Sequence, residues 1–471
     1  MDASVYVISD LHLGGADASP GHPAFQMCSQ PSQELLASWI EALAQRVDSM
    51  PTHLVINGDL VDFLAEEPFE AFTTDESRAV DKLDEILRRT APIWTALSGF
   101  ASRPRARLSI LLGNHDVELS FPRVRRRLLE AVSHTGGATA AIEFSYDNEA
   151  LNIGTVLIEH GNRFDAWNAV HHDSLRQFRS QLSRGLSGDR TFLVPPGSNM
   201  VEKVINPIKR HYPFVDLLKP EESSLLPVLA ALGIGTTLSN AIEFAQRFRQ
   251  QSKLSYTDDA EPAIPGFVAA TSATSDQELT NIALARAMLD GSTSGNVAGL
   301  RSTVAGLQDY MAVQLRNARR ESLYLAFQKL RQQRQDDFDV GKERPKYLGP
   351  ATAAIGRGFD VVAYGHTHFA KNIEIPSPHG SVPARYLNSG TWADLMWIPS
   401  SVWSDNRDTG RTALLDFVAD LEQGRLGRWR KALPTYLRIE IRADRVVDAG
   451  AFFADDNEPV STEEIARRMD A

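Results

Sequence analysis

The sequence predicts an α/β layered domain interrupted by a long helical insertion. Three observations carry this. Short apolar, β-branched runs recur through the first ~165 residues, the spacing of buried strands. Amphipathic helix patterns separate those runs, which argues for layered α/β packing. From about Ala166 to Gly349 strand signals nearly vanish, and they resume at Phe359.

Taken in order, Val5 to Ile8 is the first strand, and it ends in Ser9-Asp10-Leu11-His12-Leu13-Gly14. After a loop rich in Gly, Pro and Ser, Ser32 is placed to cap a helix over Gln33 to Val47, with Leu36, Trp39, Ile40, Leu43 and Val47 on one stripe. His53 to Asn57 is the second strand and runs into Gly58-Asp59-Leu60-Val61-Asp62. A helix over Glu76 to Arg89 is interrupted or restarted at Pro92. Leu108 to Leu112 is the third strand, leading into Gly113-Asn114-His115-Asp116, and a helix over Pro122 to Val132 follows. Its Arg123, Arg125, Arg126 and Arg127 read first as a solvated face and second as a phosphate or partner contact. Val156 to Glu159 is a strand ending at His160-Gly161-Asn162-Arg163-Phe164-Asp165.

Helical patterns then cover Asp173 to Leu186, Met200 to Lys209, Leu225 to Leu232, Leu238 to Gln251, Asp276 to Leu289 and Ser302 to Arg334. Phe359 to Tyr364 resumes the sheet and meets Gly365-His366-Thr367-His368. There Gly365 lets the chain turn, and an extended run would face both imidazoles the same way. Ser381 to Leu387 reads as a strand, and a sheet pair spans Tyr436 to Phe453. The expected organisation is a discontinuous domain, residues 1–165 and 350–455, a helical insertion or lid at 166–349, and a short helix or frayed tail at 456–471.

Composition bounds the partners. A net charge of −11 argues against bulk attraction to nucleic acid, although a metal overrides that field at short range. The single cysteine, Cys28, excludes an intrachain disulfide and a thiolate cluster. No run approaches the ~18 apolar residues that span a bilayer. No basic segment precedes Val5, so a secretory leader is not expected and a cytoplasmic location is.

Asp10, His12, Asp59, Asn114, His160, His366 and His368 stand at or just past strand ends, where ligands of an open sheet gather. Mixed imidazole and oxygen donors without sulfur suit manganese, iron or zinc. Seven donors exceed the needs of one ion, and two ions sharing a carboxylate use them economically. Alone, each Asp is as well explained by turn capping. Asp116 is open between a cap and an outer role. Arg163 and Asp165 are open between lining the site and a salt bridge, and Asn388 to Thr391 between an anion cradle and a plain turn beneath Trp392. His171 and His172 read as surface residues.

The ordered blocks Asp10-x-His12, Gly58-Asp59-x-x-Asp62, Gly113-Asn114-His115-Asp116, His160-Gly161 and Gly365-His366-x-His368 resemble those of the calcineurin-like metallophosphoesterases. The resemblance implies a four-layer fold, a β-sandwich flanked by helices, with two divalent metal ions, manganese first and iron or zinc next. It implies that Asp10, His12, Asp59 and His368 hold the first ion, and that Asp59, Asn114, His160 and His366 hold the second. A metal-bridging hydroxide is then the nucleophile, with His115 facing the leaving group and Asp62 orienting His115. Where the family's phosphoprotein phosphatases carry an arginine beside that carboxylate, this chain has Phe63, which argues against a phosphoprotein substrate. The expected substrate is a small-molecule or lipid-linked phosphoester. A second, more distant similarity is to the UDP-diacylglucosamine pyrophosphatases, which differ in having arginine at the position of His115 and a shorter lid. A cyclic-nucleotide or nucleic-acid phosphodiesterase and a non-catalytic binding scaffold complete the alternatives.

Overall fold

The computed structural model describes residues 2–20, 24–68, 70–133, 141–147, 150–165, 168–186, scattered positions between 192 and 217, residues 324, 328 and 331, and residues 335–376, 383–398 and 400–470. Most of the helical patterns expected between Met200 and Arg334 lie outside the described residues.

Two sheets face each other. The first has the order β13-β12-β1-β2-β3-β4, from β1 (Ala3–Ile8), β2 (Thr52–Asn57), β3 (Ala106–Leu111), β4 (Ala141–Ser145), β12 (Thr435–Arg442) and β13 (Arg445–Phe453). Strands β1 to β4 run parallel, and β12 and β13 add antiparallel partners beside β1. The second has the order β5-β6-β7-β9-β8, from β5 (Ala150–Ile153), β6 (Val156–Glu159), β7 (Val361–Tyr364), β8 (Ala370–Ile375) and β9 (Ala384–Ser389). Here β6, β7 and β9 are parallel, with antiparallel strands at both edges. A short pair, β10 (Leu395–Met396) with β11 (Arg430–Lys431), lies apart.

Period-two alternation explains the layering. In β1, Val5 and Val7 join Ile158, Val361, Ala363 and Leu387 between the sheets. Tyr6 and Ile8 face the other way, into a core shared with α1 (Gln30–Arg46), α2 (Glu76–Arg89), α3 (Ala91–Ala101) and α4 (Pro122–Val132). The outer face of the second sheet, Val362, Tyr364 and Tyr386, is covered by Tyr347, Ala351 and Ile355 of a helix over Pro345–Ile355. Helix, sheet, sheet and helix make the four layers.

Several details differ from the sequence reading. Helix α1 starts at Gln30, with Ser29 rather than Ser32 at the N-cap, because Pro31 fits the first turn. The hydroxyls of Ser29 and Ser32 instead donate to Asp394 Oδ1. Pro92 starts a separate helix, α3. The helix at Pro345–Ile355 carries Gly349 and Pro350, which oppose helix by propensity; its buried stripe overrides them. Strands β4, β5 and β8 carry little periodic signal, whereas the helix over Arg407–Glu422, absent from the sequence reading, has Leu414, Phe417, Val418 and Leu421 at three-and-four spacing behind an Asn406 cap. The C-terminal segment is a helix over Thr462–Asp470 whose Ile465 and Met469 are buried in the core that includes both sheets, and Phe338 and Val340 join the same core. Among the described residues no helix is long and apolar enough to cross a membrane.

Candidate metal centre

The carboxyl ends of β1, β2, β3, β6 and β7 point to one rim, and the loops leaving them carry the expected ligands. Three groups of side chains have their ligand atoms within 4.8 Å of one another: Asp10 with His12 and His368, Asp59 with His160 and His366, and His12 with Asp62 and His115. The first two fall inside the two ligand sets that the sequence resemblance implies.

Asp59 sits between them. Its Oδ2 is 3.2 Å from His160 Nε2 and 3.8 Å from His12 Nε2, while Oδ1 accepts the His115 backbone N–H at 2.9 Å. Asp10 Oδ1 is 3.3 Å from His368 Nε2 and 3.9 Å from His12 Nε2. The Nε2 atoms of His12 and His368 are 3.1 Å apart. Asn114 Oδ1 is buried and makes no hydrogen bond, and Asp10 Oδ1 and His160 Nε2 make none of good geometry. Buried donor atoms so crowded and so poorly satisfied fit divalent cations, which replace the missing partners.

The imidazoles are held from behind. His160 Nδ1 is 2.7 Å from the Asn57 carbonyl, His12 Nδ1 is 3.4 Å from Asp62 Oδ2, and His366 Nε2 is 3.3 Å from Asp165 Oδ2. Such outer contacts fix tautomer and ring orientation in metal sites. His115, with 15 % of its side chain exposed, places Nδ1 3.1 Å from Asp62 Oδ1.

The backbone here is unusual. Asp10, His12, Asp59, His366 and His368 all have positive φ, between 45° and 68°. Non-glycine residues rarely adopt this region, and its cost of order 1 kcal/mol or more each is tolerated chiefly at functional sites. It also corrects one expectation. His366 and His368 do not face the same way: left-handed backbone breaks the two-residue alternation and sends His366 to His160 and His368 to His12. Gly365 is likewise not a left-handed turn residue. A Cβ there would lie 2.4 Å from Ser9 Oγ and 2.8 Å from Asp10 Oδ2, so the strand end approaches Asp10 as only glycine can. Gly113 is held to the same rule, since its Cβ would sit 2.0 Å from Asp59 Oδ1.

The electrostatics favour positive charge at this rim. Burial opposes ionisation of Asp59 and Asp62, but His160 beside Asp59 and His115 beside Asp62 outweigh it and hold both carboxyls well below the usual range. Asp10 is shifted the same way by His368 against its own burial. Burial also disfavours the His160 imidazolium, yet Asp59 raises that group to about 9. Protons thus gather where cations would.

Asp116 serves as a buried turn cap: Oδ1 accepts Gly113 N–H at 2.7 Å and Oδ2 accepts Leu60 N–H at 2.8 Å. Burial, then the Asp59 charge, push it up to about 7. Asn388 to Thr391 is a buttress. Asn388 Nδ2 donates to the Gly365 carbonyl, Ser389 Oγ is 2.6 Å from Ser9 Oγ, and Thr391 Oγ1 donates to the Asp10 carbonyl. Its Gly390 N–H is taken by Asn388 Oδ1, leaving no anion cradle there. Arg163 pairs with Glu159 at 3.7 Å. His171 is exposed and caps the following helix through Nδ1. Arg127 pairs with Asp84, and Arg125 lies over the Tyr146 ring. Phe63 is fully buried, with the Lys82 ammonium 5.1 Å from its ring centre. Sequence reasoning did not find the Asn57 carbonyl behind His160 or Asn168, whose Oδ1 lies 3.5 Å from Asn114 Nδ2: no spacing encodes either contact.

Residues 3–217 match the protein family described as calcineurin-like phosphoesterase. No curated protein matches the chain.

Proposed function

We propose that this chain, whose residues 3–217 match the calcineurin-like phosphoesterases, is a metal-dependent hydrolase that cleaves a small or lipid-linked phosphoester at the cage between Asp10 and His368. The convergence of five sequence-distant loops on shared donor atoms, with Asp59 between the two histidine groups, carries this reading. Asp10, His12, Asp59 and His368 would hold one ion, and Asp59, Asn114, His160 and His366 the other. Bound there, two divalent ions supply Lewis-acid charge stabilisation and a water activated at neutral pH.

The protein's own residues supply the rest. Asp62 keeps a proton on His115 Nδ1 and turns Nε2, which bears the second proton of the charged ring, outward. With 15 % of its side chain exposed, His115 is placed to donate a proton to the departing oxygen. The β-strand scaffold fixes these groups before substrate arrives, so little reorganisation is needed as charge develops. The buried Phe63 supports a substrate other than a phosphoprotein. The catalytic body is then discontinuous, with residues 166–349 as an insertion that influences substrate size.

Metal analysis of purified chain loaded with Mn²⁺, followed by turnover of mono- and bis-p-nitrophenyl phosphate, tests this. We expect about two ions per chain and activity lost to EDTA and restored by Mn²⁺. Faster diester turnover would favour the phosphodiesterase alternative, and cleavage of a UDP-linked lipid the pyrophosphatase one. Absence of bound ion or of any turnover would overturn the proposal.

A further inference from the structure

We propose that Asp165 and Asn168 are positioning residues for the second metal ion, aiming His366 and Asn114 at it; the inference rests on the two-ion reading above. Asp165 Oδ2 lies 3.3 Å from His366 Nε2, 3.2 Å from Asn168 Nδ2 and 3.8 Å from the Lys346 ammonium. Asn168 Oδ1 in turn accepts from Asn114 Nδ2 at 3.5 Å. Two donors from distant loops are thereby tied to one short segment, the turn that follows a third donor, His160.

The chemistry of each tie has a direction. A carboxylate only accepts, so Asp165 keeps the His366 proton on Nε2 and leaves the lone pair on Nδ1. By accepting from the Asn114 amide nitrogen, Asn168 turns Oδ1 the other way, and that oxygen is buried without a hydrogen bond. Hydrogen bonds fix Asp165 and Asn168 relative to each other. Asn168 and Ala169 N–H groups both donate to the Asp165 carbonyl, the Asp165 N–H donates to the Asn162 carbonyl, and Asn162 Nδ2 donates to the Asn168 carbonyl. Lys346 balances the charge of Asp165. The first ligand set is served by a different carboxylate, Asp62 behind His12, so a change at Asp165 acts on one ion and spares the other.

The test uses the full chain as wild type, Asp165→Ala and Asp165→Asn. Mn²⁺ binding to metal-stripped protein is followed by calorimetry, the loaded protein by EPR, and the melting temperature is measured without metal. Asp165→Ala is expected to bind the first ion as wild type does and the second roughly 10- to 100-fold more weakly. Its EPR spectrum changes from a coupled Mn²⁺ pair to an isolated ion. Asp165→Asn, which keeps an acceptor oxygen, falls between. Unchanged affinity for both ions would overturn the inference, as would equal weakening of both ions with a lower metal-free melting temperature, which marks a structural role. Wild type that binds no Mn²⁺ would overturn the two-ion reading itself, before any variant is compared.

Discussion

Asp62 serves two histidines at once: Oδ1 lies 3.1 Å from His115 Nδ1, and Oδ2 lies 3.4 Å from His12 Nδ1. One carboxylate therefore couples a candidate metal ligand to the group proposed for proton transfer. A change at His115 alone should separate these roles. His115→Ala is expected to retain both ions and lose about 10²- to 10⁴-fold in kcat, the usual worth of a positioned acid. Metal content and steady-state rates on the same preparation check this, and a kcat within twofold of wild type would remove His115 from the mechanism.

Asp62→Asn should behave differently. It disturbs the tautomer of both rings, so kcat falls and the ion held by His12 loosens about 10-fold. Titration with a competing chelator reads the second effect, and undiminished affinity would show that His12 is oriented without Asp62.

Two glycines make a matched pair. Gly113→Ala drives a methyl to 2.0 Å from Asp59 Oδ1, whereas Gly99, in α3, has nothing within 4 Å of its added Cβ. Gly113→Ala should lose ions from both sites, because Asp59 is displaced. Gly99→Ala should raise stability by about 0.5–1 kcal/mol through helix propensity. Thermal melting and metal analysis distinguish the two.

His53 supplies a pH dependence away from the metal centre. It is buried with Nε2 2.8 Å from Ser109 Oγ, and burial, then the nearby Arg107, lower it to about 4 from 6.5. A depressed histidine is neutral in the fold, so its contribution is complete above pH 6.5 and is lost as pH falls toward 4. The loss amounts to at most about 3 kcal/mol. His53→Gln should narrow the gap between melting temperatures at pH 7.5 and pH 5. An unchanged gap would mean that other groups govern the acid limb.

The candidate donor positions are legible because strand-end chemistry is local: an apolar run, then Asp-x-His or Gly-Asn-His. Their grouping was less so. His366 and His368 part company through left-handed backbone, and no two-residue pattern encodes φ. Gly113 and Gly365 look like turn residues in sequence, but their reason is steric and comes from loops elsewhere in the chain. Asp165 was undecidable because its partners, His366 and Lys346, are far away in sequence. The helix over Pro345–Ile355 was hidden by Gly349 and Pro350, whose unfavourable propensity is outweighed by burial of Tyr347, Ala351 and Ile355.

The 3.8 Å separation of Asp165 and Lys346 has an architectural consequence. The polypeptide leaves the rim at one of these residues and returns to it at the other, while Leu175, Phe178 and Phe192 pack into the core under the first sheet and Phe338 and Val340 into the core between the sheets. The stretches flanking this junction are thus stitched to the body, so any swap of the segment beyond them has to keep both, with Asn168 among the residues retained.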